Sequence, residues 1–281
     1  MTRARTATSK ADFSGIYTAP DPRAYFAALA PLEYQVPAHA LPVVRAEIDG
    51  ADRDARARTV LDLCCSYGTN AALLRTSVGL GALAARYTNP ALAELSPAAL
   101  AAADAAFFRA WEERPDVRVL GLDASAPAVG YASRAGLLAG GFAEDLERAD
   151  PSPGLAAALP TVGTVVCTGG VGYVGPPTFT RLLTHLPSDV RLVAFVLRVF
   201  DYDEITGVLD AHGLATHRLP GTVRQRRFVD AAEQDAAVAD VRSRGLDPTG
   251  KESAGWFHAD CYVSRPRPSP SAHVAPRQPR V

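Results

Sequence analysis

Short apolar runs alternate with longer amphipathic segments along most of the chain, from about residue 59 to residue 263. The runs are rich in valine and leucine, as is typical of strands that are buried on both faces. The runs predict strands at residues 59–63, 117–122, 162–167, 191–199, 214–219, 223–229 and 256–263. Helices are predicted after the first strand to about residue 76, and at residues 97–114, 127–135, 179–186 and 204–212. This alternation predicts an α/β fold with a mostly parallel sheet and helices on both faces.

The segments outside this pattern have a different composition. Residues 1–11 show no apolar periodicity and residues 266–281 are rich in proline and serine, so both ends are predicted to be disordered. Residues 12–265 are predicted to form one domain. Within it, residues 12–50 combine tyrosines with prolines, which predicts helices and turns that cover one end of the sheet.

Composition and charge restrict the partners and the compartment. The formal net charge is −1 over 281 residues, so no general attraction to nucleic acid or to an anionic membrane is expected. No apolar run approaches the ~20 residues of a membrane span. The four cysteines lack C-x-x-C spacing and lie in or beside predicted strands. This indicates free thiols without a metal site, in a cytoplasmic protein. A monomer or a homodimer is expected.

The segment TVLDLCCSYGTN at residues 59–70 is the most informative part of the chain. An apolar strand carries Asp62, passes through small residues to Gly68 and continues into a helical pattern, as a first parallel strand does before a nucleotide-binding turn. The segment resembles motif I of the class I S-adenosylmethionine-dependent methyltransferases, D-x-G-x-G-x-G. Cys64 and Ser66 replace the first two glycines, and both are small enough for a ligand to approach the backbone. An ordinary buried strand with a turn after it would give the same local pattern. The resemblance implies cofactor contacts from Asp62, Cys64, Ser66, Gly68 and Asn70.

A second predicted strand also ends in an acid. The run GLDASAPAVGYA resembles motif II of the same family, and Asp123 is its acid. A carboxylate at the end of this strand can accept hydrogen bonds from two hydroxyl groups. The resemblance therefore implies that Asp123 binds the ribose, with Ala124 and Ser125 beside it. The alternative is an aspartate that only caps the following helix.

The spacing of the two acids predicts an insertion. Asp62 and Asp123 are 61 positions apart, whereas a dinucleotide-binding fold expects about 20. The longer spacing predicts an insertion of about 35 residues within residues 78–116. In this segment, Ser96 and Pro97 begin an alanine-rich helix. We expect this insertion and the N-terminal cover to shape a pocket for the methyl acceptor. The candidate packing residues of the inserted helix are Leu95, Leu100, Phe107, Phe108 and Trp111.

Two later segments resemble further motifs of the family. The segment FAEDL follows the second helix, where family members place an acid near the adenine amino group. The resemblance implies that Glu144 or Asp145 accepts a hydrogen bond from that amino group. A solvated acidic turn would have the same composition. The run VVCTGGVGY resembles motif IV, a strand that opens into a glycine-rich loop at the ligand-binding edge of the sheet. It implies that Thr168 and Gly169 lie against the methionine part of the cofactor, although a flexible turn is the alternative.

The catalytic residues are less constrained, because methyl transfer depends mainly on alignment in a dry pocket. Tyr173, in the glycine-rich loop, is the candidate for positioning the acceptor. His258 and Asp260 alternate on the last predicted strand and so face the same side, as a base and its orienting acid would. A solvated pair at a sheet edge is the simpler interpretation.

Other polar residues allow a functional and a structural interpretation. Tyr34 and His39 in the cover could line an acceptor pocket, or they could be ordinary packing or surface residues. Arg224, Arg226 and Arg227 form a basic run on a predicted strand. They could bind an acidic substrate, but a charged edge strand that resists aggregation explains them as well.

The four motifs together imply a Rossmann-like class I methyltransferase fold with a seven-stranded, mostly parallel sheet and an antiparallel last strand. The implied reaction transfers a methyl group from S-adenosylmethionine to an oxygen or nitrogen of a small molecule. The lack of a basic groove argues against nucleic acid as acceptor. A non-methylating protein of this fold, such as a ligand-binding partner subunit or a scaffold, is the alternative, because the loss of two motif glycines would narrow the cofactor turn. A nicotinamide-dependent oxidoreductase would require G-x-G-x-x-G after the first strand, and one glycine is present there.

Overall fold

Eight strands form one sheet at the centre of the structure. The computed structural model describes residues 14–50 and 58–267. The strands are β1 (Thr59–Leu63), β2 (Arg118–Asp123), β3 (Gly140–Ala143), β4 (Thr164–Thr168), β5 (Arg191–Leu197), β6 (Leu214–Arg218), β7 (Val223–Arg227) and β8 (Trp256–Pro266). Their order is β3-β2-β1-β4-β5-β8-β6, and β7 pairs with a different part of β8. Strands β1 to β5 are parallel, whereas β8 is antiparallel to β5, β6 and β7.

This architecture confirms the predicted Rossmann-like fold, including the antiparallel last strand. All seven predicted strands are present, and β3 is an additional eighth. The strand was missed because it has only four residues and begins with two glycines, which weaken strands in general. The two ends predicted to be disordered lie outside the described residues, except for Pro266 and Arg267. Pro266 is the last residue of β8, so the domain continues past residue 265.

Helices cover both faces of the sheet, and the N-terminal cover consists of the first three. The helices are α1 (Ser14–Tyr17), α2 (Arg23–Leu29), α3 (Val36–Asp49), α4 (Thr69–Arg75), α5 (Leu80–Tyr87), α6 (Pro97–Ala110), α7 (Ala126–Arg134), α8 (Pro153–Ala158), α9 (Pro176–Leu183), α10 (Asp203–Ala211) and α11 (Ala231–Ser243). Helices α5, α8 and α11 were not predicted; α11 has a largely polar sequence with little apolar periodicity. None of the helices within residues 14–50 and 58–267 is long and apolar enough to cross a membrane.

The central strands are buried on both faces, as their apolar sequences predict. Val60 and Val166 point into one hydrophobic cluster, beneath α3 and α4. Leu61 and Val165, which alternate with them, point into a second cluster on the opposite face. The sheet is therefore the rigid layer from whose carboxyl edge the loops of the candidate site extend.

The insertion between α4 and β2 forms α5 and α6. The predicted start is confirmed, because the Ser96 hydroxyl accepts a hydrogen bond from the Ala99 N–H and Pro97 is the first helical residue. The helix ends at Ala110, four residues earlier than predicted. Leu100 and Phe108 are buried, but Trp111 is 52% exposed, so the prediction that Trp111 packs in the core is wrong.

A fully buried carboxylate attaches the insertion to the rest of the fold. Asp104 of α6 accepts hydrogen bonds from the hydroxyls of Tyr87, at the end of α5, and Tyr131, in α7. It also accepts one from the Arg86 guanidinium at 2.7 Å. A single side chain thus joins three helices, with its charge compensated by Arg86.

We expect Asp104→Ala to reduce the free energy of unfolding by about 3–5 kcal/mol, because it removes one partner of a buried ion pair and leaves two tyrosine hydroxyls unsatisfied. Urea denaturation monitored by circular dichroism measures this change. Asp235→Ala, on the exposed side of α11, is the matched control and should change stability by less than about 0.5 kcal/mol. An equal effect of the two substitutions would contradict the role given to Asp104.

Candidate active site

A cavity of about 420 Å³ lies at the carboxyl ends of the parallel strands, within the range of roughly 300–1,000 Å³ that small-molecule sites occupy. The loops after β1, β2, β3 and β4 form one side, and the N-terminal cover and β7 form the other. Open parallel sheets bind their ligands at this edge. The predicted site residues that line it are Cys64, Ser66, Asn70, Asp123, Ala124, Ser125, Glu144, Asp145, Thr168, Gly169 and Tyr173. Four described residues that were predicted to belong to the site do not line the cavity: Asp62, Gly68, His258 and Asp260.

The turn after β1 has a backbone conformation that normally requires glycine. Cys64 has φ = 61° and Ser66 has φ = 48°, and Gly68 follows with φ = 79°. A left-handed conformation costs a non-glycine residue about 1–2 kcal/mol, and such strain is concentrated at functional sites. Cys64 and Ser66 thus adopt a conformation that glycine adopts without strain, and both residues line the cavity.

Asp123, at the end of β2, holds this turn in place. Its Oδ2 accepts a hydrogen bond from the Ser66 N–H at 2.9 Å, and its Oδ1 accepts one from the Ser125 N–H at 2.8 Å. Burial raises the pKa of Asp123, while these two backbone donors lower it. Each carboxylate oxygen can accept a further hydrogen bond, and the side chain lines the cavity. Asp123 therefore caps the loop and is also available to a ligand.

Asp62 lies behind the cavity and acts through Asn70. Its Oδ1 accepts a hydrogen bond from Asn70 Nδ2 at 2.8 Å, and the same amide donates to Thr168 Oγ1 at 2.9 Å. Asp62 is fully buried and its Oδ2 has no hydrogen-bond partner among the residues described. Burial raises its pKa from 3.8 to about 7, with Asp123 adding to the increase and Asn70 opposing it. Asp62 can therefore influence a ligand in the cavity only through Asn70, and not by direct contact.

The two acids after β3 have different partners. The Glu144 carboxylate accepts hydrogen bonds from the Ser152 N–H at 2.9 Å and from its hydroxyl at 2.7 Å, which fixes the start of α8. Asp145 accepts one from the Glu147 N–H at 3.0 Å and pairs with the exposed Arg148 at 3.3 Å. Both acids line the cavity. Because Glu144 is committed to Ser152, Asp145 is the better candidate for binding a ligand.

The glycine-rich loop after β4 approaches the β1 turn closely. A Cβ atom added at Gly170 would lie 2.7 Å from Cys64 Sγ and 2.8 Å from Cys167 Sγ. Gly172 has φ = 106°, and a Cβ there would collide with the Phe200 ring at 2.5 Å. The loop therefore requires glycine at both positions. It presents Tyr173, which is 56% exposed, to the cavity.

His258 and Asp260 do not form the pair that their alternation suggested. His258 Nδ1 hydrogen-bonds Thr222 Oγ1 at 2.7 Å, and burial lowers its pKa to about 4. Asp260 pairs with Arg218 at 3.6 Å. Both are buried, at 8% and 4% exposure, so the interpretation as a solvated pair is also wrong. Strand β8 is an inner strand of the sheet, flanked on both edges, and sequence periodicity does not reveal this.

The basic run agrees in part with the interpretation as a charged edge strand. Among the described strands β7 pairs with β8 alone, and Arg224 and Arg227 are exposed, whereas Arg226 is buried. Arg224 and Arg227 stack on the Trp256 ring, at 4.6 and 4.3 Å from its centroid. Arg226 is 2% exposed and forms a bidentate ion pair with Glu233 of α11, at 2.7 and 2.9 Å. Arg226 lines the cavity with its charge already compensated.

The cover contributes side chains to the cavity, whereas the insertion contributes none of the lining residues that the structure describes. Tyr34 lines the cavity as suggested. His39 does not line it, and its Nε2 forms a hydrogen bond with Gln35 Oε1 at 3.0 Å. The expectation that the insertion shapes the pocket is therefore wrong. Its α5 supports the cover instead, with Tyr87 stacked on Phe26 at 4.9 Å.

Several lining residues were not named from the sequence. The aromatic residues and prolines at 17–37 were visible as a cluster, but their contacts depend on tertiary packing. Gln225 sits within the basic run and gave no signal of its own. These residues are Tyr17, Tyr25, Leu29, Pro37, Leu146 and Gln225.

No model of a known protein family matches the chain, and no curated protein matches it in sequence. Several solved structures are similar to the chain at low sequence identity. The YcgJ protein from Bacillus subtilis is 14% identical, over 82% of this chain and 99% of its own, with a TM-score of 0.46. Geranyl diphosphate C-methyltransferase from Streptomyces coelicolor is 12% identical, over 80% of this chain and 79% of its own, with a TM-score of 0.43. The plantazolicin methyltransferase BamL is 11% identical over 94% of both chains, with a TM-score of 0.43.

The buried charge of Asp62 predicts a pH-dependent effect of Asp62→Asn. Because the pKa of Asp62 is raised from 3.8 to about 7 in the folded protein, its ionisation destabilises the fold as the pH rises through that interval. We expect Asp62→Asn to be more stable than the wild type by about 1–3 kcal/mol at pH 8.5, the cost of an unsatisfied buried group. The difference should shrink towards pH 5. Urea denaturation at both pH values measures it, with Asp235→Asn as the matched control. A difference independent of pH would contradict the raised pKa.

Proposed function

We propose that the cavity binds S-adenosylmethionine and that the protein transfers its methyl group to an oxygen or nitrogen of a small molecule. The observation that carries this proposal is the turn after β1. There, Cys64 and Ser66 adopt left-handed conformations at the two positions where methyltransferase motif I has glycine, and the turn is bonded to Asp123. A strained turn at non-glycine residues persists only where its surroundings hold it. A binding function accounts for this arrangement.

The charges of the lining fit a cationic ligand. The acids Asp123, Glu144 and Asp145 line the cavity, and Asp62 lies just behind it. The one arginine among the described lining residues, Arg226, is neutralised by Glu233. S-adenosylmethionine carries positive charge on its sulfur and on its ammonium group, so the acidic side of the cavity matches it.

Each part of the cofactor has a corresponding group. Asp123 would accept hydrogen bonds from the ribose hydroxyls, and Asp145 would accept one from the adenine amino group. The Asn70 amide nitrogen is occupied by Asp62 and Thr168, which leaves its oxygen to accept from the ammonium group. Thr168 accepts from Asn70 and can therefore donate its own hydroxyl hydrogen to the carboxylate.

When bound, the cofactor supplies an electrophilic methyl group. The protein aligns the acceptor with it and excludes water. Asp123, Asp145, Asn70 and Thr168 would hold the cofactor so that a lone pair of the acceptor could displace sulfur from the methyl carbon, with the electron pair of the carbon–sulfur bond leaving on sulfur. Burial raises the pKa of Tyr34 to about 12, so its hydroxyl is not a base near neutral pH. His258 lies outside the cavity lining and is not assigned as a base, so the proton of the acceptor would pass to bulk solvent when the methylated product leaves the cavity.

We expect Asp123→Ala to weaken the binding of S-adenosylhomocysteine by about 1.5–3 kcal/mol, the range for hydrogen bonds to a charged group. Isothermal titration calorimetry with S-adenosylhomocysteine and S-adenosylmethionine measures the loss. Asp235→Ala should bind as the wild type does. Thermal unfolding of both variants separates loss of binding from loss of fold, and unchanged binding by a folded Asp123→Ala variant would show that the ribose lies elsewhere.

The same titration tests the proposal as a whole. If the wild type binds neither molecule, the cofactor assignment is wrong. If it binds both but produces no S-adenosylhomocysteine with a broad panel of phenols, amines and heteroaromatic compounds, a non-methylating binding protein becomes the better explanation.

A further inference from the structure

We propose that the methyl acceptor is an uncharged aromatic small molecule with an O–H or N–H group, and that Gln225 determines specificity by accepting a hydrogen bond from it. The inference rests on the proposed function, because it concerns the part of the cavity that the cofactor contacts do not use. That part lies between the N-terminal cover, β7 and Tyr173.

Its walls are aromatic and apolar. Tyr17, Tyr25 and Tyr34 enclose one side, with Tyr25 at 5.7 Å from Tyr17 and 6.2 Å from Tyr34 in edge-to-face arrangements. Leu29 and Pro37 add apolar surface. Aromatic rings that already pack edge to face offer further faces and edges to a planar guest. A flat aromatic molecule is the shape that such walls accommodate best.

The charges in this region disfavour an anionic acceptor. The Arg226 guanidinium is bound by the Glu233 carboxylate and by the Arg227 carbonyl oxygen at 2.8 Å. A carboxylate or phosphate on the acceptor would therefore meet a cation that is already neutralised. Burying an uncompensated charge is costly, so the acceptor is expected to be neutral.

Gln225 is directed inward by an irregularity in its strand. In the backbone register of β7 and β8, Arg224 lies opposite His258 and Arg226 lies opposite Phe257. Because His258 and Phe257 are adjacent in β8, Gln225 is an extra residue in β7, which is the arrangement of a β-bulge. In a regular strand, neighbouring side chains point to opposite faces. Here both Gln225 and Arg226 are buried and line the cavity. Bulges next to active sites commonly redirect a side chain in this way.

The Gln225 carboxamide has an unused acceptor. The side chain is 4% exposed, and its Oε1 has no hydrogen-bond partner in the described part of the chain. It lies against the glycine-rich loop, since a Cβ atom at Gly169 would be 2.8 Å from Gln225 Nε2. A buried carbonyl oxygen without a partner is unfavourable. An O–H or N–H group on the acceptor would satisfy it and would orient the reacting lone pair towards the methyl group.

The test measures the binding of four matched probes to protein saturated with S-adenosylhomocysteine, which keeps the probes out of the cofactor region. The probes are p-cresol, toluene, 4-methylbenzoate and 4-methylcyclohexanol, and ligand-observed NMR gives their dissociation constants. We expect p-cresol to bind at least about fivefold more tightly than toluene, in line with a hydrogen bond of about 1 kcal/mol. The benzoate and the cyclohexanol should bind at least about tenfold more weakly than p-cresol.

Gln225→Leu should abolish the advantage of p-cresol over toluene while leaving toluene affinity within about twofold of the wild type. Gln225→Met is a second variant of similar length, in case the first does not fold. Gln234→Leu, in α11 outside the cavity, is the matched control and should retain the preference. Each variant is first titrated with S-adenosylhomocysteine to show that the cofactor region is intact.

The inference is overturned if either Gln225 variant keeps the preference for p-cresol, if 4-methylbenzoate binds as tightly as p-cresol, or if no probe binds to protein that does bind S-adenosylhomocysteine. Failure of the wild type to bind S-adenosylhomocysteine at all would instead refute the proposed cofactor. The two failures are therefore distinguishable in the same set of samples.

Discussion

One carboxylate joins the three parts that enclose the cavity. Asp123 accepts hydrogen bonds from the Ser66 N–H in the β1 turn and from the Ser125 N–H before α7. The hydroxyl of Ser125 then donates to the Tyr17 carbonyl oxygen in the cover at 2.6 Å. Because the turn is held in a conformation that is unfavourable for serine, these bonds oppose its relaxation. The shape of the cavity depends on this small network.

The parallel half of the fold was predictable because its signals are local. A buried parallel strand is a short apolar run, and the acid at the end of β2 follows directly from the sequence. The start of α6 was equally clear from Ser96 and Pro97. Strand β3 had no such signal, since glycine occupies half of its four positions.

The rest of the site was not predictable because it depends on contacts between distant segments. Arg226 resembled a surface residue until its partner Glu233 was known, and Glu233 lies on a helix with little apolar periodicity. The bulge at Gln225 changes which side chains face inward, so simple alternation fails there. The cover is positioned by Tyr67, whose hydroxyl lies 2.8 Å from the carbonyl oxygens of Ile16 and Ala19 and shares its one hydrogen between them. None of these contacts follows from spacing along the chain.

Strand β8 separates two halves of the molecule that have different roles in the proposed reaction. It pairs with β5 along one edge, and with β6 and β7 in succession along the other. The loops proposed to hold the cofactor belong to the parallel strands, whereas Gln225 belongs to β7. Substitutions in β7 would therefore leave the pairing of the parallel strands unchanged, whereas the cover is bonded to the cofactor loops through Ser125 and Tyr67. For protein engineering, this means that a library restricted to the inward-facing side chains of β7 would explore new acceptors while the sequence of the cofactor loops stays unchanged.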